Sequence, residues 1–248
     1  MSLMAALPMY DWFEVHHEVD AQWKVVRDRL RREGIDAPDA LTRDVDLATL
    51  WRDPNLIFAQ TCWGPLELGL SEAVIVLGQS DYSPFEGGSG PLYSSAYLMR
   101  KGEGSPVQAP SGNEAIVPLD LLRGRRFIYN SEDSLSGFIS PMRDLQALGQ
   151  SIEIFSEARA SGAHRESGLA IARGDADVCA CDCRSWSLFQ RFEPEAAAKL
   201  HPVGWTAKRT GQPFIMSPAL QRYEATVRAA IAEAGMFAAE LPGAPRVA

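Results

Sequence analysis

Hydroxyl and glycine residues are concentrated in residues 130–141, which read Asn-Ser-Glu-Asp-Ser-Leu-Ser-Gly-Phe-Ile-Ser-Pro. The run Arg-Phe-Ile-Tyr at residues 126–129 predicts a strand before this stretch, and apolar residues recur at helical spacing after it. Ser134, Ser136 and Gly137 therefore lie where a strand gives way to a helix. A helix start has N–H groups without intrahelical partners and carries about half a positive charge, so it can bind an oxyanion. The alternative is that Ser134 serves only as the helix N-cap.

A second helix start lies at residues 161–164, Ser-Gly-Ala-His, and the helix predicted from it ends at Gly174. Because both starts follow strands in consecutive strand–helix units, we expect their N–H groups to face one crevice. Charge-assisted hydrogen bonds contribute about 1.5 to 3 kcal/mol each, so a few of them would supply the roughly 8 kcal/mol of micromolar binding. We predict that the helix dipole disfavours the cation of His164 until an anion draws a proton onto it. The alternative is a neutral His164 that pairs with a local carbonyl.

Strands alternate with helices along the rest of the chain, which predicts an α/β protein with mostly parallel sheets. The strands are predicted at residues 4–9, 56–61, 73–79, 93–100, 126–130, 152–155 and 178–182, with further apolar segments at 200–205 and 212–218. The helices are predicted at residues 12–30, 41–51, 138–148, 161–174 and 220–231.

The composition sets limits on partners. A net charge of −8 and a pI near 5.1 argue against a nucleic-acid or anionic-membrane surface, because those partners select clustered Lys and Arg. Any anion is therefore expected to be bound locally. The sequence has no apolar run long enough to span a membrane and no basic leader, so we expect either a cytoplasmic protein or one whose leader has been removed.

The four cysteines raise the question of a metal, as do His16 and His17, for which solvated or capping roles are expected because no second metal-spaced pair accompanies them. Cys179, Cys181 and Cys183 alternate along a predicted strand, and Cys62 follows another. Residues two apart in a strand are too far apart for a disulfide and poorly placed for a tetrahedral metal. We therefore expect small buried thiols, with no metal and no cofactor.

Aromatic residues are candidates for the walls of a pocket. Trp63 follows a strand at its carboxyl end, where ligands bind in open α/β sheets, and it can equally cover the edge of the core. Tyr10, Trp12 and Tyr93 are further candidates, and either Asp11 or Asp182 could meet an amine. Core packing is the usual role of any single aromatic residue.

Four patterns, in chain order, resemble the phosphonate-type substrate-binding proteins of ABC importers, which are type II periplasmic binding proteins. The patterns are Leu7-Pro8-Met9-Tyr10, Ser134-Leu135-Ser136-Gly137 with Pro141, Gly162-Ala163-His164 with residues 172–178, and residues 212–217. The resemblance spans nearly the whole chain and implies two α/β lobes with a ligand cleft between them. The first lobe would comprise residues 1–98 and 187–248 and the second residues 99–186, with crossings near Leu98 and Trp186.

The resemblance also implies roles for individual residues. The hydroxyls and amides of the serine turn, residues 134–137, would hold phosphonyl oxygens together with a histidine, while tyrosines and an acidic residue would contact the remainder of the ligand. Leu135 departs from the family, which often has a hydroxyl residue there, so this chain lacks one donor. The resemblance carries these roles to Tyr10, Tyr93, Ser134, Ser136, His164 and Asp182, and Leu135 and Gly137 are predicted ligand-binding residues as members of the serine turn.

We therefore expect a non-catalytic, monomeric solute-binding protein that closes on a small phosphonate-like or phosphate-like anion. If it is exported, its further partner would be an ABC permease, and the resemblance then implies a periplasmic location. Two alternatives remain on the same scaffold. One is an enzyme that acts on a pyrimidine or thiamin-like compound through a cysteine of the 179–183 cluster, and the other is a cytoplasmic ligand sensor.

Overall fold

The structure is a computed structural model that describes residues 2–238. The strands are β1 Met4–Ala6, β2 Leu56–Gln60, β3 Ile75–Gln79, β4 Gly88–Ser89, β5 Leu92–Tyr93, β6 Ser95–Arg100, β7 Arg126–Tyr129, β8 Glu157–Ala160, β9 Val178–Asp182, β10 Leu200–Trp205, β11 Arg209–Thr210 and β12 Pro213–Met216. The α-helices are α1 His16–Arg32, α2 Leu47–Leu50, α3 Trp63–Glu67, α4 Leu119–Leu122, α5 Ser140–Ala147, α6 His164–Arg173, α7 Cys183–Phe192, α8 Pro194–Ala197 and α9 Glu224–Glu233. Short 3-10 helices lie at Phe13–Val15, Leu70–Glu72, Ile152–Ile154 and Pro218–Tyr223, and a turn of π-helix lies at Leu135–Ile139.

The contacts divide the described chain into two units, residues 2–81 with 211–238 and residues 82–210. The boundaries differ from those predicted, because Leu98 and Trp186 both lie inside the second unit. Leu98 belongs to β6, which is hydrogen-bonded on both sides within the sheet of that unit. The last ten residues of the predicted first lobe, 239–248, lie outside the described residues.

The first unit is built on a four-stranded sheet in the order β1-β2-β12-β3. β1 and β2 are parallel, whereas β12 pairs antiparallel with both β2 and β3. Helix α1 buries one face, formed by Val19, Trp23, Val26 and Leu30 at spacings of three and four residues. The predicted helix at residues 12–30 is therefore confirmed, and that at 41–51 is reduced to α2.

The second unit is built on a five-stranded sheet in the order β10-β6-β9-β7-β8. It also contains a small three-stranded sheet in the order β11-β5-β4. β7 runs parallel to both β8 and β9, but β6 runs antiparallel to β9 and β10. The prediction of mostly parallel sheets is therefore wrong, and both main sheets are mixed. Alternation of strands and helices fixes the direction of strands joined by one helix, but not of strands that meet from distant parts of the chain.

One strand of the second unit was predicted in the wrong place. Residues 152–155 were predicted as a strand but contain the 3-10 helix Ile152–Ile154, and the strand is β8, which follows it. β8 lies at the edge of the sheet and three of its four residues are exposed, so it lacks the apolar signal of a buried strand. None of the helices described between residues 2 and 238 is both long and apolar enough to cross a bilayer.

Candidate functional site

Three neighbouring parallel strands of the second unit end at one edge of its sheet. β7 lies between β8 and β9 and runs parallel to both. The serine turn follows β7, α6 begins at His164 just after β8, and β9 ends at Asp182. The carboxyl ends of adjacent parallel strands are where ligands bind in α/β sheets.

The serine turn begins a helical segment that runs from residue 135 to residue 147. Ser134 is its N-cap, because its Oγ accepts a hydrogen bond from the N–H of Gly137 at 3.1 Å. The Ser134 carbonyl accepts from the N–H groups of Phe138 and Ile139 at 3.2 and 2.9 Å, which opens the first turn into a π-helix. The capping role of Ser134 is thus confirmed, and π-turns of this kind are frequent at functional sites.

Four side chains at this edge form a connected polar cluster, consisting of Ser134, Ser136, His164 and Asp182. Ser136 Oγ lies 3.3 Å from Ser134 Oγ and 2.8 Å from His164 Nε2. The same nitrogen of His164 lies 3.5 Å from Asp182 Oδ2. Ser136 and Asp182 are buried, and the His164 side chain is 13% exposed. The sequence placed these residues in one site, and the structure brings them together.

Burial lowers the pKa of His164, against the opposing effects of the Asp182 carboxylate and the backbone of Ala180, which favour the cation. The direction of the shift is the one predicted from the sequence. The largest cause is the removal of the imidazole from water. The imidazole is therefore mainly neutral near neutral pH.

Asn130 is a neighbour of the polar cluster that was not predicted as a site residue. A Cβ atom at Gly137 would overlap Asn130 Oδ1 and would lie 3.2 Å from Cε1 of His164, so Gly137 lies directly beneath both side chains. Within residues 2–238, Asn130 Oδ1 is buried and has no hydrogen-bond partner. Its position directly after the strand β7, at the carboxyl end, is the signal that would have identified it.

The remaining predicted site residues are Leu135 and Tyr93 in the second unit and Tyr10 and Trp63 in the first. The side chain of Leu135 is buried, and Tyr93 lies in β5, where its ring packs on Tyr82 at 5.2 Å between centroids. Tyr10 and Trp63 belong to the first unit. Tyr10 is buried, and Trp63 packs against the core of that unit, which favours the core-edge alternative for Trp63.

The chemistry of this edge is that of binding through hydrogen bonds. In a Ser-His-Asp catalytic relay, serine and aspartate bind opposite nitrogens of the imidazole, whereas Ser136 and Asp182 both face Nε2 of His164. The arrangement therefore lacks the aspartate-oriented imidazole of that relay. What it provides is hydroxyl and imidazole groups that point toward one another at the end of three strands.

The cysteines have the character of buried structural thiols. All four are buried and form no disulfide within residues 2–238, and burial raises the pKa of Cys179 to about 12 and those of Cys181 and Cys183 further above the usual range. Cys183 is the first residue of α7 and not part of a strand, so the predicted alternation ends at Cys181. Among residues 2–238, no group of three or more His, Cys, Asp or Glu side chains is placed to hold a metal ion.

Comparison with known proteins identifies a matching family and solved structures of similar fold. A family model for the periplasmic phosphonate substrate-binding proteins of ABC transporters matches residues 74–240. A search of curated proteins gave no match. Among solved structures, PhnD1 from Prochlorococcus marinus, in complex with methylphosphonate, is 18% identical with a TM-score of 0.69, over 94% of this chain and 83% of that one.

Two further solved structures have the same fold. The binding-protein component of an ABC phosphonate transporter from Pseudomonas aeruginosa is 14% identical with a TM-score of 0.63, over 96% of this chain and 80% of that one. A Xanthomonas citri protein bound to ATP is 16% identical with a TM-score of 0.63, over 93% of this chain and 82% of that one. At these identities the likeness establishes the fold, an α/β periplasmic-binding-protein fold with mixed sheets.

Proposed function

The chain belongs to the family of periplasmic phosphonate substrate-binding proteins of ABC transporters, and from this premise we propose that it binds a small solute through a phosphonate-type oxyanion at the polar cluster. The observation that carries the proposal is the contact between Ser136 Oγ and His164 Nε2, 2.8 Å apart at the shared carboxyl edge of β7, β8 and β9. Tyr10, Trp63 and Tyr93 remain predicted contacts to the rest of the solute.

The groups at this edge suit a tetrahedral oxyanion. Ser134, Ser136 and His164 supply two hydroxyls and an imidazole, and the first N–H groups of the helical segment after Ser134 add backbone donors. Charge-assisted hydrogen bonds contribute about 1.5 to 3 kcal/mol each, so four or five of them suffice for micromolar binding after ordering losses. This supports the local binding of an anion by a chain whose net charge is −8.

The solved neighbours are consistent with a phosphorus oxyanion. One of them holds methylphosphonate and another holds ATP. In this chain Leu135 occupies the middle of the serine turn with a buried side chain, and the Asn130 carboxamide lies over Gly137 beside His164. We infer that Asn130 lines the anion site beside the serine turn.

The proposed role is non-catalytic. Neither the serine, which lacks a relay geometry, nor the cysteines, whose thiols are buried with raised pKa values, is activated as a nucleophile. Family membership implies that the solute is handed to an ABC permease, and with it a periplasmic location. The runner-up enzyme that uses a cysteine of the 179–183 cluster has no observation that favours it.

Thermal unfolding with a small panel of anions tests the proposal. The panel is methylphosphonate, 2-aminoethylphosphonate, inorganic phosphate and sulfate, measured with the wild type and two serine variants. A ligand at 100 times its dissociation constant adds about 2.7 kcal/mol to the free energy of unfolding, which gives a clear rise in Tm. We expect such a rise with at least one phosphonate, and an affinity about 10-fold to 100-fold lower in Ser136→Ala.

Ser140→Ala is the matched control. Ser140 lies four residues after Ser136 in the same helical segment, is equally buried, and its Oγ has no partner among residues 2–238. The Ser140→Ala substitution also removes a serine Oγ, but one that is not a member of the polar cluster, so binding should persist. The proposal fails if no phosphorus oxyanion raises the Tm, or if the two serine variants lose affinity equally.

A further inference from the structure

Asp182 is fixed in place by its role as the N-cap of α7. Its Oδ1 accepts hydrogen bonds from the N–H groups of Arg184 and Ser185 at 3.1 and 2.9 Å. The residue is 1% exposed, and it is the last residue of the buried strand β9. Because Oδ1 is held by the helix start, Oδ2 is the oxygen that faces Nε2 of His164, at 3.5 Å.

This geometry places a carboxylate oxygen close to the proposed anion position. His164 Nε2 lies within 2.8 Å of Ser136 Oγ and within 3.5 Å of Asp182 Oδ2. An anion oxygen that binds both Ser136 and His164 therefore comes near Asp182. Two negative oxygens in a buried environment repel each other strongly unless a proton lies between them.

We propose that Asp182 accepts a hydrogen bond from a protonated oxygen of the ligand, and that the site thereby selects oxyanions that carry a proton. The inference rests on the proposed function and adds a substrate class to it. A phosphonate or phosphate monoanion has a P–OH group at neutral pH, whereas a sulfonate of the same tetrahedral shape has none. No proton is transferred, because the ligand keeps its hydrogen and Asp182 acts as the acceptor.

The groups around Asp182 are compatible with this role. His164 faces it from α6, and burial keeps the pKa of that imidazole low, so its cation is not the default source of a proton. Cys181 and Cys183 flank it, and their thiols stay neutral because burial raises their pKa values. Arg184 follows in α7 and donates its backbone N–H to Oδ1.

The test compares two isosteric ligands, methylphosphonate and methanesulfonate, by titration calorimetry at pH 7. The proteins are the wild type, Asp182→Asn, and Asp175→Asn as a control that makes the same change in net charge at an exposed residue. We expect the wild type to prefer methylphosphonate by about 100-fold or more, because methanesulfonate would bring an oxygen without a proton against the carboxylate. The asparagine side chain would keep the capping oxygen and present N–H groups, so Asp182→Asn should reduce that preference about 10-fold or more, whereas Asp175→Asn should not change it.

Each outcome decides the inference. A wild type that binds methylphosphonate and methanesulfonate equally well overturns it without reference to any variant. A preference that is unchanged in a folded Asp182→Asn protein also overturns it, because a capping or positioning role would alter both affinities by the same factor. Both of these results leave the proposed function standing, whereas a wild type that binds neither ligand, nor any other phosphorus oxyanion, overturns both.

Discussion

Strand β9 has an aspartate at each end, and the two are held in different ways. Asp177, just before the strand, contacts two guanidinium groups: Arg126 Nε and one of its terminal nitrogens at 3.0 and 2.8 Å, and Arg100 at 2.9 Å. Asp182, at the other end, accepts from two backbone N–H groups and faces the titratable imidazole of His164. Permanent cations bind one carboxylate, and a group that can gain or lose a proton lies against the other.

Asp177 and Asp182 lie at opposite edges of the sheet, and the two edges differ in the same way as the two aspartates. The amino-terminal edge carries the ion cluster of Asp177, Arg100 and Arg126, which ties β6, β7 and the start of β9 together. The carboxyl-terminal edge carries the polar cluster, whose hydrogen bonds can be exchanged for those of a ligand. We infer that the first edge contributes mainly to stability and the second mainly to binding, and each of the following predictions tests that division.

The largest expected effect is on binding and comes from Gly137→Ala. The added methyl group would overlap Asn130 Oδ1 and crowd Cε1 of His164, so both side chains must move from the polar cluster. Because the Asn130 oxygen is the end of a flexible side chain, the fold can adjust. We expect affinity for methylphosphonate to fall by about 100-fold, measured by titration calorimetry, with little change in Tm.

Gly149→Ala is expected to affect stability and not binding. Gly149 lies just beyond the carboxyl end of the same helical segment. Gly149 has a φ of 70° with no atom within 4 Å of an added Cβ, so an alanine there meets only backbone strain. We expect it to cost about 1 kcal/mol of stability and to leave binding unchanged. If Gly137→Ala binds as well as Gly149→Ala, the carboxyl-terminal edge is not the binding edge.

Asp177→Asn is predicted to have the largest effect on stability. The hydrogen bonds from Arg126, and then those from Arg100, hold the pKa of Asp177 far below its usual range. Their stabilisation is complete above the unfolded pKa of about 3.9 and is lost as pH falls toward the depressed folded value. With a discount for the partly exposed guanidinium groups, we expect a loss of about 2 kcal/mol at pH 7, or about 4 to 8 °C in Tm.

The pH dependence separates this explanation from a general packing defect. The wild type should lose its advantage over Asp177→Asn as pH falls below about 4, because Asp177 of the unfolded chain then takes up a proton that the folded carboxylate does not. Affinity for methylphosphonate should be the same in both proteins at pH 7. A variant that is as stable as the wild type at neutral pH, or one that has lost binding while folded, would contradict the division between the two edges.

The sequence predicted the parts of the site that depend on local pattern. The strand at 126–129, the serine turn and the helix that begins near His164 are adjacent in the chain and strongly periodic, so their chemistry and positions could be read together. Asp182 was a candidate both as a carboxylate for an amine and through the resemblance to a family. That Asp182 meets His164 depends on the pairing of β9 with β7 and of β7 with β8, which no local pattern specifies.

The incorrect or missed predictions also concern features that the local sequence does not determine. β8 was misplaced because an exposed edge strand with Glu157 and Arg159 has no apolar alternation. The antiparallel β6, β10 and β12 reach their sheets from distant parts of the chain, and local periodicity does not fix the direction of such pairs. Asn130 was missed because a polar residue at a strand end is common, and only the contact over Gly137 distinguishes it.

The smallest expected effect is in the stability of the unliganded protein and comes from His164→Gln. Burial lowers the pKa of His164 in the folded state, so below about pH 6.5 the unfolded chain takes up a proton that the folded chain resists. The wild type should therefore lose about 1 kcal/mol more stability than His164→Gln between pH 7 and pH 5.5. The other three histidines are common to both proteins, so denaturant unfolding at several pH values isolates this difference. If the curves of stability against pH for the wild type and His164→Gln are parallel, folding does not lower the pKa of His164. The carboxyl-terminal edge would then lack the neutral histidine that distinguishes it from the edge at which arginines bind Asp177.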